Sequence, residues 1–294
     1  MMLHTSKQYW DQRDLVELLA LDSDGQNRYR SHACDIDAIG GIYGGQLIAQ
    51  ALWAAAQSVK GRSPSMLQVT FLQEAHPLDS IEYSVELLQD DRHVSNRHVY
   101  GVQGTGLIFS AHATFQQADA TSGRSFYLER PLPTPESLPA LPELVASNPQ
   151  RCESYQLRFT DCPVLDVRPI HDEPCTEQPQ VNSEIGYWIR LNQSLPHEGC
   201  LHQAALAYMS ACWLSRSLAP SFSMPDTWQH YSVSNLNHSL WFHSSQLDAN
   251  DWLLFLKDPD RTLSGHGLAT TRIYQRNGLF VASMVQDVLV SRSA

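Results

Sequence analysis

Apolar positions in this chain fall into two kinds of run. Two runs are apolar almost all the way round a helix: Gly41 to Val59, GIYGGQLIAQALWAAAQSV, and Cys200 to Leu218, CLHQAALAYMSACWLSRSL. A helix with so little polar surface has to be enclosed by other elements. The remaining runs alternate with period two, as half-buried strands do. In the first half they are Met66–Phe71, Ile81–Leu88, Arg97–Gln103 and Leu107–Phe115, with turns at Asp90-Asp91 and Gly104-Thr105-Gly106. In the second half they are Val164–Ile170, Tyr187–Leu191, Tyr231–Phe242, Trp252–Leu256, Leu268–Gln275 and Leu279–Val290. A short helical pattern from Trp10 to Leu21 and a strand over Tyr29–Ile36 precede the first apolar helix.

The two halves superimpose in order. Asp90-Asp91-Arg92 answers Asp258-Pro-Asp-Arg261, and Gly106-Leu-Ile-Phe109 answers Gly278-Leu-Phe-Val281. Such self-similarity predicts a duplicated unit. Between the halves, Pro131, Pro133, Pro135, Pro139, Pro142 and Pro149 crowd a stretch with little periodicity, which reads as a partly extended linker. The expected organisation is a first half over 1–117, a Pro-rich linker over 118–155 and a second half over 156–294. One helix wrapped by a curved antiparallel sheet, twice, predicts an α+β tandem hotdog. Edge-to-edge pairing of such sheets would cover strands that otherwise invite aggregation.

Composition narrows the function. The 294 residues are 43% hydrophobic, enough for a real core, and the net charge is −11 with lysine only at 7, 60 and 257. That balance disfavours nucleic acid, whose phosphates need clustered cations. No apolar run reaches the roughly 18 residues of a membrane span. The N-terminus has no apolar signal stretch, so a cytoplasmic protein is expected. Cysteines stand at 34, 152, 162, 175, 200 and 212 without a Cys-x-x-Cys pair, so neither a metal site nor a disulfide framework is expected.

Several stretches of the second half resemble the acyl-CoA thioesterase II family. They are His202-Gln203, Leu206-Ala207-Tyr208 with Ser210, Asn237-His-Ser-Leu-Trp-Phe-His243, Asp251-Trp-Leu-Leu254 and Leu279-Phe-Val-Ala-Ser-Met-Val-Gln286. In the first half, Gly44-Gly45-Gln46 with Gln50-Ala51-Leu52, and Ile108-Phe109 through Thr114-Phe115-Gln116, are similar to the family's N-terminal repeat. The resemblance implies cleavage of acyl thioesters with no cofactor and no covalent nucleophile. It implies a water held by an Asp on the second central helix, a Thr or Ser on the next strand, and a Gln near the C-terminus. An oriented water, a carboxylate and amide donors for the oxyanion suffice for a thioester, whose carbonyl is already reactive.

Residue by residue, the implied set transfers only in part. Gln286 matches. Asn235 stands at the Thr or Ser position, Ala211 at the Asp position after Ser210, and Asn237 where the family has a further Asp. An amide orients water but does not take its proton. His238 is the titratable group nearest Asn235 in sequence, so it joins Gln286 and Asn235 as a catalytic candidate. Asn235 and Asn237, two apart, are expected on one strand face. Gly44, Gly45, Ser210, Ala211 and Asn237 are the substrate-binding candidates; the glycine amides at a helix start suit a carbonyl or anion, and close packing is the alternative role. Asp287 is expected on the face opposite Gln286. No Gly-x-Ser-x-Gly elbow occurs, which argues against a serine hydrolase, and Cys212 reads as a core cysteine.

These residues point to an acyl-thioester-processing enzyme, acting on acyl-CoA or on acyl carrier protein by an atypical site and forming a homodimer or larger assembly. Two alternatives stay open. One is a relative repurposed for elimination, isomerisation or cyclisation in lipid or polyketide metabolism; the other is a non-catalytic acyl-binding protein.

Overall fold

The computed structural model describes residues 8–10, 14–36, 40–117, 125–147, 163–170, 184–198, 200–212, 231–245, 247–258, 261–263 and 265–292. The expected helical stretch beyond residue 212, and Cys152, Cys162 and Cys175, lie outside these residues. The chain divides into two compact units, Met1–Ala118 with Leu195–Ser210, and Asp119–Ser194 with Ala211–Ala294. The boundaries read from the sequence do not contain this excursion: the second apolar helix is counted with the first unit.

The first unit holds strands β1 (Gln8–Tyr9), β2 (Leu21–Ser23), β3 (Arg28–Ser31), β4 (Ala33–Cys34), β5 (Ser63–Phe71), β6 (Glu82–Asp90), β7 (Val94–Gln103) and β8 (Gly106–Gln116). Its helices are α1 (Leu15–Leu19), α2 (Gly44–Ala56) and, from the second half of the sequence, α4 (Leu201–Ser210). The main sheet runs β2-β3-β6-β7-β8-β5, antiparallel throughout. α2 lies against α4 on one side and β5, β6, β7 and β8 on another, which is why it has almost no polar surface.

The few polar residues of α2 are hydrogen-bonded. Gln46 Oε1 accepts from Asp35 N at 2.7 Å, and its Nε2 donates to Ala33 O and to Gln50 Oε1. Gln50 Nε2 donates to Leu18 O, while Tyr83 Oη donates to Gln50 Oε1 at 2.5 Å. The two glutamines of the Gly-Gly-Gln and Gln-Ala-Leu runs therefore tie α1 and residues 33–35 to the helix, which answers the need of buried polar groups for partners.

The second unit holds α3 (Leu141–Ser147) and strands β9 (Leu165–Pro169), β10 (Ile185–Leu191), β11 (Tyr231–Phe242), β12 (Leu253–Lys257), β13 (Arg261–Leu263), β14 (His266–Gln275) and β15 (Phe280–Arg292). Its sheet runs β11-β15-β14-β12-β10-β9, with β13 on β14. The Pro-rich segment is more ordered than an extended linker. A 3-10 turn at Pro135–Ser137 and the helix α3 interrupt it, and Tyr127 bridges to Leu279. Leu128, Leu132 and Leu138 pack on Ile170, Trp188, Trp252, Leu254, Leu256 and Tyr274. Trp188 Nε1 donates to Pro133 O at 3.0 Å, and Arg168 donates to Pro135 O at 2.9 Å. The segment is thus a strap that covers one face of this sheet. No described helix is long and apolar enough to cross a membrane.

Register confirms the duplication in detail. In the first unit Pro64 pairs with Phe115 and Met66 with Thr114, leaving Ser65 as the extra residue of a β-bulge. In the second, Asn235 pairs with Val288 and Asn237 with Asp287, leaving Leu236. A second bulge leaves out Ile108 beside Gly101 and Val102, and Val281 beside Ile273 and Tyr274. Both halves carry the same two irregularities at corresponding places.

Candidate functional site

The bulge at Leu236 determines where the candidate residues of β11 point. Partners directly across a ladder share a face. Asn235 faces the side of Val288, and His238 the side of Gln286, both of which are buried; Asn237 faces the side of Asp287. Asn235 and Asn237 therefore lie on opposite faces, contrary to simple alternation, because the extra residue resets the phase. The same reset puts Asn235 and His238, three apart in sequence, on one face. Asp287 lies on the face opposite Gln286, with its carboxylate 3.6 Å from His266 Nδ1.

Gln286 is fully buried, and its Nε2 donates to Asn235 Oδ1 at 2.5 Å. Its Oε1 is buried without a hydrogen-bond partner among the described residues. An unpaired buried acceptor is unfavourable, and a water or a ligand donor is what removes the penalty. His238 is 1% exposed, and burial pushes its pKa down to about 3. It stands neutral at physiological pH and is a very weak proton acceptor, which corrects its expected place as a base near neutrality. In the first unit the positions matching Asn235, His238 and Gln286 in the bulged ladder are Pro64, Leu67 and Ala113, so the amide pair occurs in the second half only.

The remaining candidates belong to the helices. Ala211 follows the last residue of α4 and is partly buried. Ser210 Oγ donates back to Ala207 O at 2.7 Å, a bond within its own helix. Gly45 is a packing glycine: a Cβ there would stand 2.2 Å from Tyr43 Cε1 and 2.5 Å from the Tyr208 carbonyl. Tyr43 Oη donates to that same carbonyl at 3.2 Å. Gly44 is less enclosed, and the N-cap Tyr43 supplies no side-chain bond to the first amides of α2. Cys212 is wholly buried, as a core cysteine is.

Sequence reasoning passed over two polar residues on the Gln286 face, Thr271 and Lys257, which are 1% and 2% exposed. The readable signal was a lysine closing the otherwise apolar run Leu253-Leu-Phe-Leu-Lys257.

Repeated antiparallel sheets with matched bulges, together with two apolar helices, define a double-hotdog protein. The chain matches the model of the acyl-CoA thioesterase N-terminal domain over residues 33–116 and that of the C-terminal domain over 135–290. It belongs to the acyl-CoA thioesterase II family. Among its relatives, human acyl-coenzyme A thioesterase 8 is 25% identical over 261 residues, covering 85% of this chain and 80% of the relative. Acyl-CoA thioesterase 2 of Haemophilus influenzae is 24% identical over 282 residues, covering 94% and 96%. The crystal structure of acyl-CoA thioesterase II TesB2 from Mycobacterium marinum aligns with a TM-score of 0.73 at 26% identity, over 95% of this chain and 97% of that one.

Proposed function

We propose that the protein hydrolyses acyl-CoA thioesters, with a water oriented by the Asn235–Gln286 pair. The observation that carries this reading is the Gln286 Oε1 acceptor, buried without a hydrogen-bond partner among the described residues while Nε2 of the same amide is bonded to Asn235. That oxygen accepts a hydrogen bond from the water and so aims the water's lone pair. The water oxygen adds to the thioester carbonyl, the carbon–sulfur bond breaks, and thiol and carboxylic acid are released. Amides hold the water without taking its proton, and Ala211 supplies no carboxylate. Loss of a general base lowers a rate by about 10²–10⁴. Turnover of plain acyl-CoAs is therefore expected to be slow, with membership of the thioesterase family supporting the reaction class.

The test is thiol release from acyl-CoAs of several chain lengths, by the native protein and by Gln286→Leu. Hydrolysis that falls strongly in the variant supports the reading. Rapid hydrolysis untouched by Gln286→Leu would show that another group holds the water. The same reading expects self-association, and light scattering at 33.1 kDa would count against it.

A further inference from the structure

We propose that the cavity between the strap and the sheet of the second unit binds a medium-chain carboxylic acid, with the hydrocarbon tail inside and the carboxylate at the rim. The site is separate from the Asn235–Gln286 pair, and the inference does not depend on the thioesterase reading.

The strap is tied to the sheet at two places and spans a gap between them. Leu128 N donates to Gly278 O at 2.9 Å and Phe280 N to Phe126 O at 2.8 Å, which anchors its start. Trp188 Nε1 donates to Pro133 O and Arg168 to Pro135 O, which anchors it further on. Pro131, Pro133 and Pro135 fix the backbone in an extended form. A segment held twice and stiffened by proline does not fold inward to close the gap. What remains is a cavity of about 260 Å³, with apolar walls from Leu128, Leu132, Pro135, Trp188 and Leu254. Interiors leave few voids larger than a water molecule, and an apolar cavity of about 150 Å³ already holds benzene. The space here suits a chain of about six to eight carbons. Leu254 pairs with Tyr274, and Gln286 with Ala269, five residues from Tyr274 along β14. The cavity and Gln286 therefore lie on opposite faces of the sheet.

The duplicated half serves as an internal control. Glu82 pairs with Val102 as Leu254 does with Tyr274, and Ser84 with Tyr100 as Leu256 does with Arg272. Glu82 is exposed and Ser84 partly so. This face of a hotdog sheet can therefore be polar and wet, whereas in the second unit it is apolar and the strap leaves part of it unfilled.

The rim selects the head group. Arg130, Thr134, Arg276 and Asn277 line the cavity and are exposed, so they stand at its mouth. Asn277 Oδ1 already accepts from Leu279 N at 3.0 Å, which leaves its amide nitrogen to serve a ligand. Arg130 pairs with Glu184, and Arg276 with Glu136 at 2.8 Å and Asp251 at 3.8 Å. The two guanidinium side chains are 54% and 45% exposed. Such surface pairs are weak and a guanidinium carries five donors, so each arginine can serve a second acceptor. Donors and positive charge at the mouth suit a carboxylate and oppose an ammonium.

Calorimetry on the full chain with octanoate, acetate and octylamine tests this. Octanoate is expected to bind with a Kd below about 1 mM. Acetate lacks the tail and octylamine has the wrong sign, so each should bind at least about tenfold more weakly. Nitrogen-15 spectra locate the site. The chain has seven tryptophans, and the indole signal lost in Trp188→Phe identifies Trp188. That signal should shift with octanoate along the calorimetric binding curve. Leu132→Trp fills the cavity and should weaken octanoate by about tenfold or more. Arg276→Gln should weaken it by roughly three- to tenfold, and it decides alone if Leu132→Trp does not fold. Octylamine binding as tightly as octanoate, a Trp188 signal that stays in place, or octanoate affinity intact in the folded variants overturns the inference. Thiol release from acyl-CoA is measured on the same proteins. Weakened octanoate binding with unchanged hydrolysis is the expected result. Parallel loss of both in a folded Leu132→Trp would place octanoate in the thioester site and overturn the inference.

Discussion

Gln286 stands opposite His238 in the β11–β15 ladder, yet its amide nitrogen donates to Asn235, on the far side of the bulge, at 2.5 Å. The extra residue Leu236 is what brings Asn235 onto the buried face beside Gln286. A strand without the bulge would turn Asn235 away, so the irregularity belongs to the site and is not a defect in the sheet.

Breaking this pair has a defined cost. Asn235→Leu leaves Gln286 Nε2 buried without the acceptor it now has. Stability should fall by about 1–3 kcal/mol, the penalty of an unsatisfied buried donor. Urea unfolding measures it, and the slope against denaturant should stay unchanged because the buried area is nearly the same. Gln286→Leu combined with Asn235→Leu should recover part of the loss, since both partners are then apolar. A double variant less stable than the sum of the two singles would contradict the pairing.

The pH response of His238 carries a sign. Burial lowers its pKa from the ordinary value of 6.5 to about 3. Between those values the unfolded chain binds a proton that the native imidazole refuses. Stability from this group is therefore full above about pH 6.5 and declines as the pH falls toward 3. The total is on the order of a few kcal/mol. Thermal melting of His238→Gln across this range should show a shallower decline on acidification than the native protein. Between pH 6 and 8 the pH profile of kcat/KM should lack an inflection that His238→Gln removes. Such an inflection would restore the imidazole as a base.

Much of the fold was legible because it depends on periodicity. The first apolar helix, the first ten residues of the second (Leu201–Ser210) and the alternating runs of both halves lie close to where the pattern placed them, since enclosed helices and half-buried strands leave strong marks on a sequence. Bulges leave almost none. Nothing in Ser234-Asn-Leu-Asn-His238 announces that Leu236 is extra, so the asparagines were assigned to one face and lie on two. Close packing was one of two roles legible for Gly45, but the neighbour was not, because what excludes a side chain is the Tyr208 carbonyl, distant in sequence. Lys257 was visible as a rare lysine, and only strand register shows that it shares a face with Gln286.

Gly45→Ala tests the close approach of α2 and α4. The new methyl would meet the Tyr43 ring and the Tyr208 carbonyl inside contact distance. Better intrinsic helix propensity favours alanine by up to about 1 kcal/mol, yet overpacking against backbone costs typically 1–3 kcal/mol and sometimes more. The clash should win, giving a lower melting temperature. Gly44→Ala, at the less enclosed neighbour, serves as the control and should change stability little. Equal melting of the two variants would remove the packing role assigned to Gly45.

Ala211→Asp restores a carboxylate at the position where the family resemblance implies one. With Gln286 and Asn235 still holding the water, hydrolysis of plain acyl-CoAs should rise, by up to about 10²-fold, the lower end for general-base catalysis. The substitution also has a physical cost. Residue 211 follows the last residue of α4, where the helix dipole is negative, and it is partly buried. An aspartate there is opposed by the dipole by about 0.3–1 kcal/mol and by desolvation, and both raise its pKa. Activity of the variant should therefore climb with pH through the raised carboxyl pKa and then level off, while stability falls toward alkaline pH as the unfavourable charge forms. Thiol release and thermal melting over the same pH series measure both. Rising activity with falling stability is the expected pair. A variant that keeps native circular dichroism but gains no hydrolysis at any pH would show that position 211 does not face the bound thioester.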